Sequence, residues 1–286
     1  MQHSNIIKLL ILLLNCVCVL SVGMYSTNSA KFCYEKASCG PNSNAWGGEC
    51  KTGTKQSPID LPYVSSRSMR RVKLEFTKYY YSDEFWIIDN GHTIKVTLTQ
   101  QQRPKARMYG YEFCSEYILA EIHFHWGYNA STGSEHSINN KFYAMEAHLV
   151  HFDSKYSNLT VAAASRDPSA LAVLGVFIAE GSESNYNSGF ETIADNIPQS
   201  IGKAAHIQQK INLSSFLPKK KQPFYRYYGS LTTPECNEIV VWTVVAKPIY
   251  VQPSLIQKFR DVKHIGSNYR PIQKLGQRTV KYLAKQ

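Results

Sequence analysis

Hydrophobic and polar residues alternate along several stretches of the chain with the two-residue period of a β-strand. The alternation is clearest from Phe142 to Phe152, where Glu146, His148 and Val150 fall on one face of the predicted strand. Similar stretches, rich in β-branched and aromatic residues, predict further strands over 72–76, 85–89, 93–99, 117–126 and 239–245. The pattern therefore indicates a protein dominated by sheet.

Residues 170–179 are apolar without a break, which fits a strand buried on both faces, although periodicity alone leaves a helix open. Helical patterns are short and lie at Phe190–Ile197 and at Pro253–Val262, which begins with proline. The chain has 286 residues, 43% hydrophobic content, no internal repeat and no linker-like segment. We therefore expect a single sheet-dominated domain with small peripheral helices.

The first residues have the pattern of a secretory leader. A polar start is followed by the apolar run Leu9–Leu20, which is too short to cross a bilayer comfortably. Small residues favour cleavage near Gly23, with a cut after Ala30 as a second option, and an uncleaved membrane anchor is the alternative. We expect a signal peptide over 1–23, a polar tail over 24–32, a catalytic domain over 33–286 and a secreted, extracellular product.

The formal net charge of +11 changes this picture little. A basic surface could bind acidic extracellular matrix or other polyanions. Most lysines and arginines are scattered, however, apart from 219–221 and the cluster of Arg67, Arg70 and Arg71. No nucleic-acid-binding motif accompanies them, so nucleic acid is not an expected partner.

Seven cysteines are present, and Cys16 and Cys18 belong to the predicted leader. The other five would meet an oxidising compartment, where disulfides are expected; they are Cys33, Cys39, Cys50, Cys114 and Cys236. Because five is odd, one thiol stays free or links two chains, which predicts a monomer or a disulfide-linked dimer. Glycosylation sequons begin at Asn129, Asn158 and Asn212.

Three histidines carry the candidate chemistry. His123 and His125 share one face of a predicted strand, and His148 lies on another predicted strand. Pairing of these two strands would bring the three imidazoles together. Three imidazole ligands with an open fourth position are typical of catalytic zinc sites, whereas structural zinc sites are closed by a fourth protein ligand. The pattern therefore favours an enzyme.

Several separate motifs occur in the order and spacing of the α-class carbonic anhydrases, and the chain resembles that family over about residues 33–286. The motifs are His123–Gly127, Gly133–His136, Glu146–His151, Gly229–Pro234, Gln56–Asp60, Asn90–His92, Leu171–Gly175 and Asn268–Pro271. The resemblance implies a mainly β (α+β) fold built on a large twisted, mostly antiparallel central sheet. It also implies a zinc lyase that reversibly hydrates carbon dioxide to bicarbonate and a proton.

Residue by residue, the resemblance implies Zn²⁺ ligands at His123, His125 and His148. Thr232 would accept a hydrogen bond from the nucleophile and donate its own proton to Glu135, which fixes the direction of that bond. His92 would shuttle protons, because imidazole titrates near neutral pH. The remaining positions implied are Glu121 and Glu146, whose carboxyl groups would hydrogen-bond zinc-binding histidines and orient them, and a substrate pocket of Val150, Val173, Leu231, Thr233 and Trp242. Expected partners are carbon dioxide, bicarbonate, water, and sulfonamide or anion inhibitors.

The chain departs from the family pattern at two positions near the metal. Glu121 stands where the family usually has glutamine, and Lys95 stands where a neutral polar residue is common. Glu121 shares strand parity with His123, so we expect it to face the metal; desolvation could keep it protonated. Lys95 should lower the pKa of His92. The segment 234–236 resembles secreted and membrane-bound members, which implies a Cys50–Cys236 disulfide.

A second hypothesis is a catalytically silent, carbonic-anhydrase-like extracellular binding domain. Silent relatives typically lose one or more of the zinc histidines. This chain has all three, together with Thr232, Glu135 and His92. The sequence therefore favours the active enzyme.

Overall fold

A sheet of twelve strands runs through the protein. The computed structural model describes residues 32–64, 69–80, 85–98, 105–220 and 222–286, and Phe32–Gln286 form one compact unit. The strands within these residues are β1 (Asp60–Leu61), β2 (Arg70–Val72), β3 (Leu74–Thr77), β4 (Phe85–Asp89), β5 (Ile94–Leu98), β6 (Arg107–Gly110), β7 (Tyr117–Trp126), β8 (Ser137–Ile138), β9 (Met145–Asp153), β10 (Leu171–Glu180), β11 (Ala205–Ile207), β12 (Pro223–Gly229), β13 (Val240–Val251) and β14 (Lys281–Lys285).

The strand order across the large sheet is β11-β4-β5-β7-β9-β10-β13-β12-β14-β2, with β6 also pairing β7 and β3 pairing β6. Most neighbours are antiparallel, whereas β10 pairs β13 and β14 pairs β2 in parallel. β1 and β8 form a separate parallel pair. The expected mainly β fold with a mostly antiparallel central sheet is confirmed.

The helices are short. They are α1 (Glu49–Thr52), α2 (Leu159–Ala163), α3 (Ser188–Asp195), α4 (Pro253–Arg260) and a 3-10 helix at Leu213–Phe216. The Asn187 side chain caps α3 by accepting the N–H of Phe190, and Pro253 opens α4. Phe190 and Phe259 stack at 5.4 Å between ring centroids and so hold these two helices together. None of the described helices is long and apolar enough to span a bilayer.

The sheet centre is buried on both faces. All nine residues of β9 are buried, including Glu146 and His148, and its neighbour β10 is buried over 171–178. One core lies on the α3 and α4 side and includes Phe124. The other includes Val150, Val173 and Trp242. Polar groups that are buried in an apolar core are costly unless they are hydrogen-bonded. The buried polar residues of β9 therefore indicate a functional site.

Most predicted elements form close to their predicted bounds. The apolar segment 170–179 is a strand, and both predicted helices occur, each ending two residues earlier than expected. The predicted strand 72–76 is interrupted at Lys73, between β2 and β3. β12 and β14 contain many aromatic, polar and basic residues, so their sequence pattern does not predict a strand. The predicted leader lies outside the described residues, while Phe32, the last residue of the predicted tail, belongs to the compact unit.

Candidate metal centre

Three imidazoles converge at the centre of the large sheet. His123 and His125 lie two residues apart on β7, and His148 on β9 is the cross-strand partner of His123. His148 Nδ1 lies 3.3 Å from His123 Nε2 and 3.2 Å from His125 Nε2. The structure therefore brings together the three histidines that the sequence singles out.

The other nitrogen of each ring meets a hydrogen-bond acceptor. The three pairs are His123 Nδ1 with Glu121 Oε1 at 3.2 Å, His125 Nδ1 with the Asn268 carbonyl oxygen at 2.7 Å, and His148 Nε2 with Glu146 Oε1 at 2.8 Å. A neutral imidazole has a single N–H. These bonds fix that proton on the outward nitrogen of each ring, so the inward nitrogens carry lone pairs.

The inward lone pairs of His123 and His125 lie 3.3 and 3.2 Å from that of His148, and such lone pairs repel unless a cation lies between them. A tetrahedral zinc site with Zn–N bonds of about 2.0–2.1 Å places its nitrogens roughly 3.3–3.4 Å apart. These two separations are close to that edge length. The Nε2 atoms of His123 and His125 and the Nδ1 atom of His148 could therefore hold a zinc ion.

The surroundings keep these ligands neutral. Burial lowers the pKa of His125 well below its ordinary value, and the neighbouring His148 and His123 lower it further. Burial also lowers the pKa of His148 to about 4, against the opposing effect of Glu146. Metal binding requires unprotonated imidazole, so the site is ready for a cation at neutral pH.

Glu146 is the centre of a closed hydrogen-bond network. Its Oε1 accepts from His148 Nε2 at 2.8 Å and His136 Nδ1 at 2.7 Å, and its Oε2 accepts the main-chain N–H groups of Glu135 and His136. Burial alone would raise the pKa of Glu146, but His136 and His148 outweigh it and hold that pKa well below its usual range. His136 Nε2 in turn accepts the Tyr227 hydroxyl at 2.6 Å. Each carboxylate oxygen of Glu146 thus accepts two hydrogen bonds, and one of them orients the His148 ring. The lone pairs of Glu146 are therefore used in hydrogen bonds and are not left for a second metal.

Glu121 joins the site to a lysine. Its Oε2 lies 3.0 Å from Lys95 Nζ, while its Oε1 faces His123. Burial raises the pKa of Glu121, but the Lys95 charge and the His123 hydrogen bond bring it down to about 2. The carboxyl is therefore ionised and turned toward His123, and the alternative of a protonated Glu121 is not supported.

Glu135 and Thr232 are both buried beside the histidines. Glu135 Oε1 accepts the main-chain N–H of Arg270 at 2.8 Å and lies 3.4 Å from His125 Nδ1. Its Oε2 is buried without a partner of full hydrogen-bond geometry in the described part of the chain. Burial raises the pKa of this carboxyl, and the Thr232 hydroxyl acts against that rise through its interaction with the carboxyl.

An apolar wall adjoins the third histidine. Val150, Val173 and Trp242 are direct neighbours across β9, β10 and β13. The Trp242 ring lies 4.8 Å from the His148 ring between centroids, and Leu231 packs against the same core. Thr233 is half-buried in the loop after β12. Val150, Val173, Trp242 and Leu231 therefore share one hydrophobic cluster, and Trp242 connects it to His148.

His92 lies in the turn between β4 and β5. Its main-chain N–H donates to Asn90 Oδ1, and its carbonyl accepts Asn268 Nδ2, both at 2.9 Å. Burial lowers the pKa of His92, with Asp89 opposing. The direction agrees with expectation, but the cause is burial and not the charge of Lys95.

Asn268 is a site residue that the sequence does not assign. Its carbonyl accepts from His125, and its side-chain amide donates to the carbonyl groups of His92 and Phe124 and accepts the N–H of Trp126. One fully buried residue therefore fixes both His125, a candidate metal ligand, and the turn that carries His92. The Asn268–Pro271 motif was its signal, but the motif by itself names no partner.

Two disulfides occur among the described residues. Cys50 pairs with Cys236, as the resemblance implies, and Cys33 pairs with Cys39. Cys114 remains as an exposed free thiol, so it is the odd cysteine that the count predicts. Among the sequons, Asn129 and Asn158 are exposed and Asn212 is half-buried.

Known proteins match the chain along most of its length. The family model for the eukaryotic-type carbonic anhydrase matches residues 41–284. Carbonic anhydrase 6 of Canis lupus familiaris is 36% identical over 80% of this chain and 72% of its own. Carbonic anhydrase 15 of Mus musculus is 32% identical over 88% of this chain and 83% of its own. Carbonic anhydrase 4 of Rattus norvegicus is 30% identical over 89% and 85%, respectively.

The mainly β fold and the three imidazoles that its central strands bring to one point agree with these matches. With the matches above, the chain belongs to the eukaryotic-type carbonic anhydrase family.

Proposed function

We propose that this protein is a secreted, zinc-dependent enzyme that reversibly hydrates carbon dioxide to bicarbonate and a proton. The observation that carries the proposal is the convergence of the inward nitrogens of His123, His125 and His148, with His148 lying at about the nitrogen–nitrogen separation of a tetrahedral zinc site from each of the other two. Zinc, when bound, supplies a Lewis acid that lets water ionise near neutral pH, a chemistry for which the carbonic anhydrases are the standard example.

Thr232 and Glu135 orient the nucleophile in this proposal. A hydroxyl can donate one hydrogen bond, and the buried carboxylate of Glu135 beside it accepts that bond. The Thr232 oxygen is then left to accept a hydrogen bond, so it selects a nucleophile that carries a proton and points its lone pair toward the substrate. The interaction of the Thr232 hydroxyl with Glu135, which opposes the rise that burial causes in the pKa of that carboxyl, supports this role. A nearby divalent cation would favour the ionised carboxyl.

The apolar wall receives carbon dioxide. A small molecule without a net dipole gains little from polar contacts, so Val150, Val173 and Trp242 offer it a surface from which water is readily displaced. Leu231 and Thr233 complete the pocket at the loop that carries Thr232. His92 moves the released proton to buffer, and its pKa below the ordinary value keeps it ready to accept one near neutral pH.

Two disulfides and a leader-like start support an extracellular location. In that location Asn129 and Asn158 would be the accessible glycosylation sites. The basic charge of +11 is compatible with an acidic extracellular matrix as a further partner, and the free Cys114 with a monomer or a disulfide-linked dimer.

A stopped-flow assay of carbon dioxide hydration tests the proposal. We expect turnover by the wild-type protein and a loss of about a hundredfold in Thr232→Ala, the size typical of removing one group that orients or stabilises the reacting centre. A zinc-loaded wild-type protein without hydration activity would instead support the silent binding domain.

A further inference from the structure

Four lysines from four separate chain segments come together near one corner of the large sheet. Lys247 lies on β13, Lys219 precedes β12, Lys285 lies on β14 and Lys73 follows β2. These four strands are consecutive neighbours, β2 is the last strand of the sheet, and Lys285 lies opposite Val72, the residue before Lys73. Because neighbouring strands are about 4.8 Å apart, the four lysines follow one another across roughly 14 Å. We call them the lysine row.

Gln222 holds three lysines of the row together. Its N–H donates to the Lys219 carbonyl at 2.9 Å, and its Oε1 accepts the Lys219 N–H at 2.7 Å. Its carbonyl accepts the Lys285 N–H at 3.2 Å, and its Nε2 donates to the Lys247 carbonyl at 3.4 Å. The main chain of the row is therefore fixed by the fold, which keeps the positive charges side by side.

The row has no acidic counterpart among the described residues. Its side chains are exposed, except that of Lys285, which is half-buried. None of the ion pairs within the described ranges includes a lysine of the row. No Asp or Glu occurs in the sequence segments that build this corner, which are 69–74, 219–229, 240–251 and 281–286. Like charges on neighbouring strands repel each other, so an anionic partner from outside the chain would stabilise the row.

Protection of the sheet edge explains only part of this pattern. Lysines and arginines on an edge strand discourage pairing with a second sheet, and the exposed Arg70, Arg71 and Lys73 lie on or directly after the edge strand β2. Lys219 and Lys247, however, belong to the third and fourth strands from that edge, where no strand can be added. Their charge therefore requires a different explanation.

A row of positive charges fits a linear polyanion. A single small anion contacts one or two of the lysines, whereas an extended polymer contacts them in turn and releases the counterions that it has condensed. Basic sites that bind membrane surfaces usually add exposed apolar side chains. Among the described residues, the exposed large apolar side chain nearest to the row along the chain is Tyr250, three residues beyond Lys247. The row therefore favours a polymer over a lipid surface.

We propose that the lysine row is a binding site for a linear sulfated polysaccharide of the extracellular matrix. The class of partner rests on the proposed extracellular location, and the site itself does not depend on catalysis. β12 begins beside the row and ends before the loop that carries Thr232. A strand of that length separates the two by roughly 20 Å, so the polymer would hold the enzyme in place and leave the candidate active site open.

Binding of fluorescently labelled heparin, a linear sulfated polysaccharide, tests the inference. The row variant replaces all four lysines of the row by glutamine. The matched control replaces four exposed lysines elsewhere by glutamine, namely Lys141, Lys203, Lys210 and Lys274, and so loses the same total charge. At low salt we expect the row variant to bind heparin roughly tenfold to a hundredfold more weakly than wild type. The control should bind within about twofold of wild type, because its charges are distant from the polymer and screened.

The dependence of heparin affinity on salt gives a second readout. The slope of log affinity against log salt concentration should fall in magnitude by about three in the row variant, since each lost contact removes about 0.7–0.9 of a released counterion. The control should keep the wild-type slope. Equal losses of affinity in the two variants would show that net charge, and not the row, binds the polymer. That result, or wild-type protein that does not bind heparin at low salt, would overturn the inference.

Vesicles of phosphatidylserine and phosphatidylcholine distinguish a membrane from a polysaccharide. Tighter binding of wild type to these vesicles than to heparin, lost in the row variant, would mean that the partner is a membrane and that the inference is wrong. Lys247→Gln alone is the smaller variant to use if the fourfold replacement does not fold. It should weaken heparin binding by roughly threefold, and binding equal to that of wild type would contradict the inference.

Carbon dioxide hydration by the same samples separates this inference from the proposed function. Wild type, both fourfold variants and heparin-saturated wild type should hydrate carbon dioxide at the same rate, because the row lies away from the candidate active site. Heparin binding through the row by a protein that does not hydrate carbon dioxide would refute the proposed function and support the inference. Hydration by a protein that does not bind heparin would do the reverse.

Discussion

Lys95 Nζ lies 3.0 Å from Glu121 Oε2, and the second oxygen of the same carboxylate faces His123. The two residues near the candidate metal site that depart from the family pattern therefore form one ion pair beside His123. The lysine side chain is 24% exposed and the glutamate side chain 15%, so the pair is only partly screened by water. The negative charge of Glu121 beside the candidate metal site is therefore offset by the positive charge of Lys95.

Removing either charge should move the pH–activity profile. Glu121→Gln removes one negative charge and keeps Lys95, which favours ionisation of the nucleophilic water, so the midpoint should move downward while zinc stays bound. Lys95→Met leaves the carboxylate unopposed, so the midpoint should move upward. We expect shifts of roughly half a pH unit or more for a unit charge at this range. Hydration rates from pH 5 to 9 measure both; midpoints that stay in place, or that both move the same way, would contradict this account.

The same pair should make stability depend on pH in acid. The pKa of Glu121 is about 2 in the folded protein and about 4.3 in an unfolded chain. Because the folded value is depressed, the stabilisation is complete above about pH 4.3 and is lost as the pH falls toward 2. In metal-free protein, Lys95→Met should be less stable than wild type by on the order of 2 kcal/mol at neutral pH. Denaturant unfolding should show this gap closing below pH 4; a constant gap would count against an ionised pair.

Sulfonamides should inhibit the enzyme through Thr232. An ionised sulfonamide nitrogen that binds the metal keeps one N–H, which can donate to the Thr232 oxygen. Inhibition titrations should therefore give tight binding to wild type and weaker binding to Thr232→Ala, by about tenfold for one lost hydrogen bond to a charged group. Equal inhibition of the two proteins would show that Thr232 does not make this contact.

The Cys50–Cys236 disulfide should dominate the covalent contribution to stability. It spans 186 residues, whereas Cys33–Cys39 spans six. In the chain-entropy model, replacing the first pair by serines lowers the free energy of unfolding by about 5 kcal/mol and replacing the second by about 2 kcal/mol. Denaturant midpoints of the two double variants make the comparison. Equal losses would indicate that strain or unfolded-state structure, and not loop closure, sets the effect.

Local sequence patterns predict the strands that carry the histidines, because β7 and β9 have the β-branched residues, aromatic residues and alternation of sheet. They also predict that His123 and His125 share a face. Local patterns do not predict that these two strands pair, and the metal hypothesis requires this pairing. In the structure β7 and β9 are neighbours, and His123 lies opposite His148.

Other relationships depend on chain segments that no local pattern connects. Lys95 is paired in register with His123 across β5 and β7, so its ion pair with Glu121 follows from strand register and not from spacing in the sequence. Asn268 reaches His92 and His125 from a segment near the end of the chain. Phe32 covers His92 from a segment before the first strand. Such contacts arise only when the sheet has assembled.

Zinc content and carbon dioxide hydration, measured on the same purified samples of wild type and His148→Ala, test the central claim most directly. We expect one zinc per chain and rapid hydration for wild type, and loss of both for His148→Ala, because two imidazoles do not hold a tetrahedral site. His206→Ala, a substitution in β11 at the sheet edge, is the matched control and should keep both. Full hydration activity in metal-free His148→Ala protein would contradict the account.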